Sequence, residues 1–518
     1  MATKKDVQQF VLLPVRGLRA EGRTATLEGR AFLQHADTAM KLGRTQINNA
    51  KAFAASIQVT APNNPDVKMR VLDSIGETGA KLIELSPKEM AALRENQPGL
   101  KIVPVVYYRQ QVHRQRIIVP PKTITTKSAA KTAAKIRLSV VSQADNKPIA
   151  NALVVAFTDF ANRVGTQGTT NSSGFVDLAL GALSKKLDRL YIYPQKGFWG
   201  GVKKQITISS GTSIKLRPID LSFTDGLRHF YGNSPDNAGT GVKVAVVDSG
   251  VDINHPDLKV IGGENTVQGE NASDFGDNGG EGHGSHVAGI IAGRGRPPQG
   301  VRGLAPAVEL FSFRVFGQNS DKASNFAIAK AIDRAVQSGC DLINMSLGGG
   351  DPDDATRAAM EDAWAQGSLV IVASGNDDRS PVSFPASFSP PAIAVSAMGR
   401  KGTFPAGTTS SDAVASPFGK PDKQNFIASF SNIGPEIDLT CTGVGIISTV
   451  PGGYAVMDGT SMATPAVTGF AAKLLAEQTN ILSMPRGPER ANAMAQALLK
   501  KAAALGFGAK FEGQGFPK

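Results

Sequence analysis

From about residue 219 onward, short apolar runs alternate with segments patterned for helix, and this alternation limits the fold more than any other feature. Val242-Lys-Val-Ala-Val-Val247, Asp341-Leu-Ile-Asn-Met345 and Leu369-Val-Ile-Val-Ala373 are almost unbroken apolar stretches. A strand with one wet face alternates apolar and polar residues, whereas a strand covered on both faces has no reason to. Between these runs, Ala327-Ile-Ala-Lys-Ala-Ile-Asp-Arg-Ala-Val336 is amphipathic at helical spacing. Buried strands alternating with helices form a parallel sheet, because each parallel connection has to cross back over a face. The reading for residues 219–518 is α/β: a doubly wound, mostly parallel sheet with helices on both faces.

At 518 residues the chain exceeds what one ordinary core can hold, so further units are expected upstream. Residues 1–108 read as a small α+β domain. Phe10 to Val15 and Val67 to Val71 look like strands, and Ser86-Pro87-Lys88-Glu89 is a helix start with an N-cap and an early proline. Leu100 to Tyr107 reads as a closing strand. Residues 109–135 hold no acidic residue but carry Arg109, Arg114, Arg116, Lys122, Lys127, Lys131 and Lys135, the pattern of a basic linker. A processing segment and a plain solvated tether both fit it. Residues 136–218 suggest a small β-sandwich, with strands at Ile136–Val141, Ala150–Phe157 and Gly174–Leu180 separated by Asn, Gly and Pro turns. This part resembles transthyretin-like or collagen-adhesin-B-like repeats; a spacer is its expected use, with a docking surface or a regulatory clamp as the alternatives.

The net charge of +12 comes without basic residues interleaved among aromatics, so no nucleic-acid partner is expected. No stretch approaches the ~20 apolar residues that cross a bilayer, and no membrane partner is expected. The start, Met1 to Phe10, lacks the apolar core of a signal peptide, which favours a cytoplasmic location. Cys340 and Cys441 sit in apolar or small-residue stretches and read as buried thiols.

Three small-residue blocks carry the chemistry. Asp248 ends the Val242 to Val247 strand and precedes Ser249-Gly250, where open α/β sheets expose a ligand crevice. His283 stands in Gly282-His283-Gly284-Ser285-His286, where flanking glycines let the ring approach other groups. Ser461 stands in Asp458-Gly459-Thr460-Ser461-Met462-Ala463-Thr464-Pro465 and leads into an apolar helix. At a helix start its own N–H is free to donate. Each residue alone could be a turn or cap residue. A zinc site would need paired ligands at zincin spacing, and His-Glu-x-x-His is absent.

Together the blocks resemble the subtilisin-like serine proteases, the subtilase family, in which Asp, His and Ser follow in this order. The resemblance implies a serine endopeptidase acting on protein or peptide substrates, with Ser461 as nucleophile, His283 as base and Asp248 orienting the base. It makes His286 structural. It assigns Asn376, after Ala373-Ser374-Gly375, as an oxyanion donor, and Ser346, Leu347 and Gly348 as the edge that pairs with an extended substrate. The opposing edge is expected near Phe316-Gly317-Gln318. The side-chain pocket is expected between Ser346 to Gly348 and Ala373 to Gly375, with its floor near Ser383-Phe384; it favours a medium or large apolar residue, with a basic one as the alternative because Asp377 and Asp378 border it. Residues 79–104 resemble the family's inhibitory propeptide, which implies a latent, self-processing zymogen cut between about Tyr108 and Lys127. The Lys401 to Asn425 insertion reads as a surface flap. Asp257 matches one ligand of a family calcium site, but Arg294 and Arg296 stand where oxygen donors belong; no metal and no cofactor is expected. The competing reading is an inert protease-fold scaffold that works through the β-sandwich.

Overall fold

A computed structural model describes residues 7–20, 26–45, 57–61, 64–117, 134–182 and 184–518. Lys122, Lys127 and Lys131 of the basic stretch, and the first six residues, lie outside the described residues.

The apolar runs form the centre of an eight-stranded sheet. Its order is Val260–Asn265, Glu309–Arg314, Lys243–Asp248, Leu342–Met345, Leu369–Ala373 and Ala392–Arg400. These six strands pair in parallel. Asn425–Ile427 adds an antiparallel edge, and Leu439–Thr442 pairs in parallel with the same Ala392–Arg400 strand. Side chains alternate between two cores, which explains the absence of polar alternation. Val244 and Val246 face the His283–Ala292 and Thr460–Glu477 helices, while Ala245 and Val247 face Asn325–Gln337 and Asp354–Ala365. Each aliphatic side chain so buried contributes about 1.5–3 kcal/mol. The strand order reverses direction beside Lys243–Asp248, so Asp248 and Ser346 open onto one crevice at the carboxyl ends.

The N-terminal residues form a five-stranded sheet ordered Ile57–Ala61, Asn64–Ser74, Lys81–Leu85, Gln8–Pro14 and Leu100–Pro104. One face carries the Leu27–Thr45 and Pro87–Asn96 helices; the second of these starts with a full capping box between Ser86 and Glu89. The other face places Val11, Leu13, Leu72 and Leu82 against the Asn325–Gln337 and Asp354–Ala365 helices. Polar ties frame this contact: Arg19 reaches Asp333 through two 2.8 Å bonds, Lys330 reaches Asp73 at 2.9 Å, and the Leu18 amide donates to Asp362 at 2.8 Å. The expected closing strand divides in two. Leu100–Pro104 stays in this sheet, while Tyr107–Gln110 leaves it and pairs with the large α/β unit, because a free edge there offers unmatched N–H and C=O groups.

Residues 135–216 form a three-stranded and a four-stranded sheet around a shared apolar cluster that includes Leu138, Val154, Leu178 and Ile192. This unit is no loose spacer. The Val202 amide donates to Gly407 O and the Thr409 amide to Gly200 O, each at 3.0 Å, and Trp199 is buried in the main core. Asp412 accepts from Arg189 (2.9 Å), Tyr191 Oη (2.5 Å) and Lys204 (2.5 Å). The 401–425 insertion is therefore a docking segment for this unit, where the sequence suggested a surface flap.

Candidate active site

Asp248 and His283 meet as their placement on strand end and helix start dictates. His283 Nδ1 lies 2.7 Å from Asp248 Oδ1, and both side chains are buried. The same carboxylate oxygen accepts the Ser249 amide at 2.7 Å. Such a contact fixes the imidazole with its proton on Nδ1 and leaves Nε2 free to accept one. His283 Nε2 is buried and has no hydrogen-bond partner among the described residues. The helix approaches this closely because position 284 is glycine: a Cβ there would lie 2.2 Å from Gly250 O. His286, one turn on, points away and bonds the Ile446 and Ala455 carbonyls through Nε2, and burial pushes its pKa down to about 3. It is held neutral as a packing residue.

Ser461 is the second residue of the Thr460–Glu477 helix. Its hydroxyl donates to Ser346 O at 2.9 Å rather than to His283. The Ser346 hydroxyl returns a 2.9 Å bond to Ser461 O and accepts from Asn344 Nδ2 at 3.0 Å. The sequence reading set Ser461 against His283; in this structure the hydroxyl takes the neighbouring carbonyl instead.

What fills the crevice is the chain itself. Tyr107–Gln110 is the middle strand of a three-stranded antiparallel ribbon between Ala323–Ser324 and Leu347–Gly348. Leu347 and Gly348 thus lie on a pairing edge, with Ser346 O accepting the Gln111 amide at 3.2 Å. The opposing edge is Ala323–Ser324 and not Phe316 to Gln318. The latter segment is already engaged, with Gly317 O accepting from Asn278 Nδ2 and the Gln318 amide donating to Glu270.

Two donors then converge on one oxygen. Gln111 O accepts from Asn376 Nδ2 at 2.5 Å and from the Ser461 amide at 3.3 Å. Asn376 can face it only one way, because its Oδ1 takes the Thr460 amide at 2.9 Å and the Thr460 hydroxyl at 3.0 Å. Position 459 has to lack a side chain, since a Cβ there would lie 2.3 Å from Gln111 O. The Gln111 side chain runs beside Gly348, where a Cβ would meet Ser383 Oγ at 2.9 Å and Gln111 Nε2 at 3.3 Å. Ser383 does border this pocket, but the occupant is an amide and not the apolar residue expected. Tyr108 fills a second pocket: it is fully buried, and its hydroxyl donates to Asp353 Oδ2 at 2.5 Å. Gln111, Thr460 and Asp353 escaped the sequence reading because no local pattern marks them.

Asp257, the one calcium-ligand match, accepts from the Val301 amide (2.9 Å) and Tyr454 Oη (3.0 Å). Both donors bond the same carboxylate oxygen, Oδ2.

Comparison with known proteins bears on the same region. A family model described as "Subtilase family" matches residues 239–516. The chain is 38% identical over 243 residues to subtilisin BL of Lederbergia lenta, covering 47% of this chain and 78% of that protein. It is 41% identical over 244 residues to alkaline elastase YaB of Bacillus sp. (strain YaB), covering 47% of this chain and 56% of the relative. With subtilisin NAT of Bacillus subtilis subsp. natto the identity is 37% over 250 residues, 47% of this chain and 58% of that protein.

Proposed function

The chain belongs to the subtilase family and is a subtilisin-like serine endopeptidase, and we propose that Ser461, His283, Asp248 and Asn376 carry its chemistry and that it is made as a latent zymogen. The observation that supports this most is the Gln111 carbonyl held between Asn376 Nδ2 and the Ser461 amide. A carbonyl held by two donors beside a serine is poised for attack, because charge developing on that oxygen is already met.

Ser461 turns its hydroxyl from Ser346 O toward His283 Nε2, which takes the proton as the oxygen bonds the substrate carbonyl carbon. Asp248 stabilises the resulting imidazolium and keeps its orientation. Asn376 and the Ser461 amide hold the oxyanion. His283 then gives the proton to the leaving amine, and water repeats the sequence on the acyl-enzyme. In the zymogen the substrate is internal: Gln111 supplies the carbonyl and Val112 the leaving amine. Residues up to 111 act as inhibitor, held by the edge pairing of Tyr107–Gln110, the buried Tyr108 and the Arg19–Asp333 and Lys330–Asp73 ties.

A fluorophosphonate probe tests the assignment. The matured chain is expected to take one adduct, on Ser461, and His283→Ala is expected to abolish it. No adduct on a correctly folded chain freed of its N-terminal segment would instead favour an inert scaffold.

A further inference from the structure

Past Gln111 the chain does not leave the protein surface. The His113 amide donates to Asp458 O at 2.8 Å, and its ring stacks on Phe430 with centroids 4.5 Å apart. Arg114 pairs with Glu281 and lies over the Tyr193 ring, 5.5 Å from its centroid. The Gln115 amide donates to Tyr193 Oη at 3.0 Å, and its side-chain oxygen accepts from Arg163. Ile117 packs in a satellite apolar cluster with Leu153, Phe160 and Tyr193. Tyr193, Arg163, Leu153 and Phe160 all belong to the 135–216 unit. A cavity of about 520 Å³ lies alongside this segment, lined by Arg114, Arg116 and Ile117 of the segment, by Leu153 and Gln167 of the 135–216 unit, and by Asn278 and Glu281.

The wall is stiff. Tyr193 stacks on Tyr191 with planes 4° apart, and Tyr191 is anchored through Asp412 to the docking segment. Arg163 also reaches Asp378, two residues beyond Asn376, at 3.4 Å. Side chains locked by packing and ion pairs lose little freedom when a ligand arrives, which suits them to selecting one.

We propose that the 135–216 unit is a built-in substrate-binding domain for the leaving-group side of the cut bond. It rests on the reading that Gln111–Val112 is the bond presented. The substrates selected are polypeptides with a flat ring at the second residue after the cut, a cation at the third, a hydrogen-bonding amide at the fourth and an apolar residue at the sixth. Glu281 and the Tyr193 face recognise the cation, and Tyr193 Oη with Arg163 recognises the amide.

The test uses the full chain after maturation and synthetic peptides spanning Val105 to Ile117, with the chain's own Val112 to Ile117, still joined to the 135–216 unit, as an intramolecular competitor common to every peptide. The readout is the ratio of kcat/KM for the full peptide to that for one ending at Arg114. Two lost hydrogen bonds and one lost apolar contact set the expected wild-type ratio at about tenfold or more. In a Tyr193→Phe/Arg163→Ala double variant the two hydrogen bonds go and the Ile117 contact stays, so the ratio is expected to fall by about fivefold or more while remaining above unity. Glutamate in place of Arg114 is expected to lower wild-type kcat/KM by about tenfold, which needs no enzyme variant. If wild-type enzyme cuts the peptide between Gln and Val but shows a ratio near unity, or tolerates the glutamate, the substrate-binding role is overturned. If it does not cut there, the assignment of the bond itself fails.

Discussion

The hydroxyl of Tyr108 offers the sharpest energetic test of how the crevice holds a chain. It lies in a fully buried side chain and donates to Asp353 Oδ2 at 2.5 Å and to Asp351 O at 3.1 Å. Asp353 Oδ1 accepts the Thr356 amide at 2.8 Å and Asn325 Nδ2 at 3.1 Å, and among the described residues Oδ2 has no protein donor besides Tyr108. Replacing Tyr108 by Phe in a peptide substrate keeps the ring and removes one charge-assisted bond. A hydrogen bond to an ionised group contributes about 1.5–3 kcal/mol, and 1.4 kcal/mol is a factor of ten. The kcat/KM of the Phe peptide is therefore expected to be ten- to a hundredfold below that of the Tyr peptide, measured by fluorescence dequenching at fixed pH. Ala at the same position loses ring burial as well and is expected to fall further. A Phe peptide cut as fast as the Tyr peptide would show that the pocket reads only the ring, and the argument from Asp353 would fail.

Further predictions follow from the same geometry. Asn376→Leu removes one of two donors to the carbonyl, and turnover is expected to drop on the order of 100–1000-fold, a magnitude established on subtilisin itself rather than worked out from this site. Burial pushes the His113 pKa down to about 4 from an ordinary 6.5, so the undocked segment binds the proton more readily than the docked one. Docking is at full strength above pH 6.5 and weakens as pH falls toward 4. In an uncleavable Ser461→Ala chain, hydrogen-exchange protection of the His113 amide is expected to decline across that window, and His113→Phe is expected to remove the decline. Burial raises the thiols of Cys340 and Cys441 to about 12, so neither is expected to react with a thiol reagent until denaturant is added.

The parallel sheet was legible because its signal is local: runs such as Leu369 to Ala373 have no polar face to hide, and the Asn325–Gln337 helix announces itself by its spacing. The contact of Asp248 with His283 was legible because each stands in a block whose small neighbours permit close approach. The Leu27–Thr45 helix was not, since its buried stripe of Phe32, Leu33, Ala36 and Met40 also takes in Gly29 and Asp37. The Ser184–Tyr193 strand was missed for a related reason: Lys185, Lys186, Asp188 and Arg189 read as a solvated run, yet Arg189 pairs with Asp412, 223 positions away. The dual fate of Leu100 to Gln110 also lies beyond local pattern. Nothing between Pro104 and Tyr107 says that the strand changes sheets; the free edges at Ser324 and Gly348 decide it.

N-terminal sequencing of the chain purified after expression, beside its Ser461→Ala counterpart, bears most directly on the claim that the protein presents its own Gln111–Val112 bond to its own serine. The wild-type chain is predicted to begin at Val112, and the variant to retain residues upstream of Gln111. A wild-type chain that keeps that bond intact while hydrolysing other peptides, or a variant cut at the same place, would contradict the account.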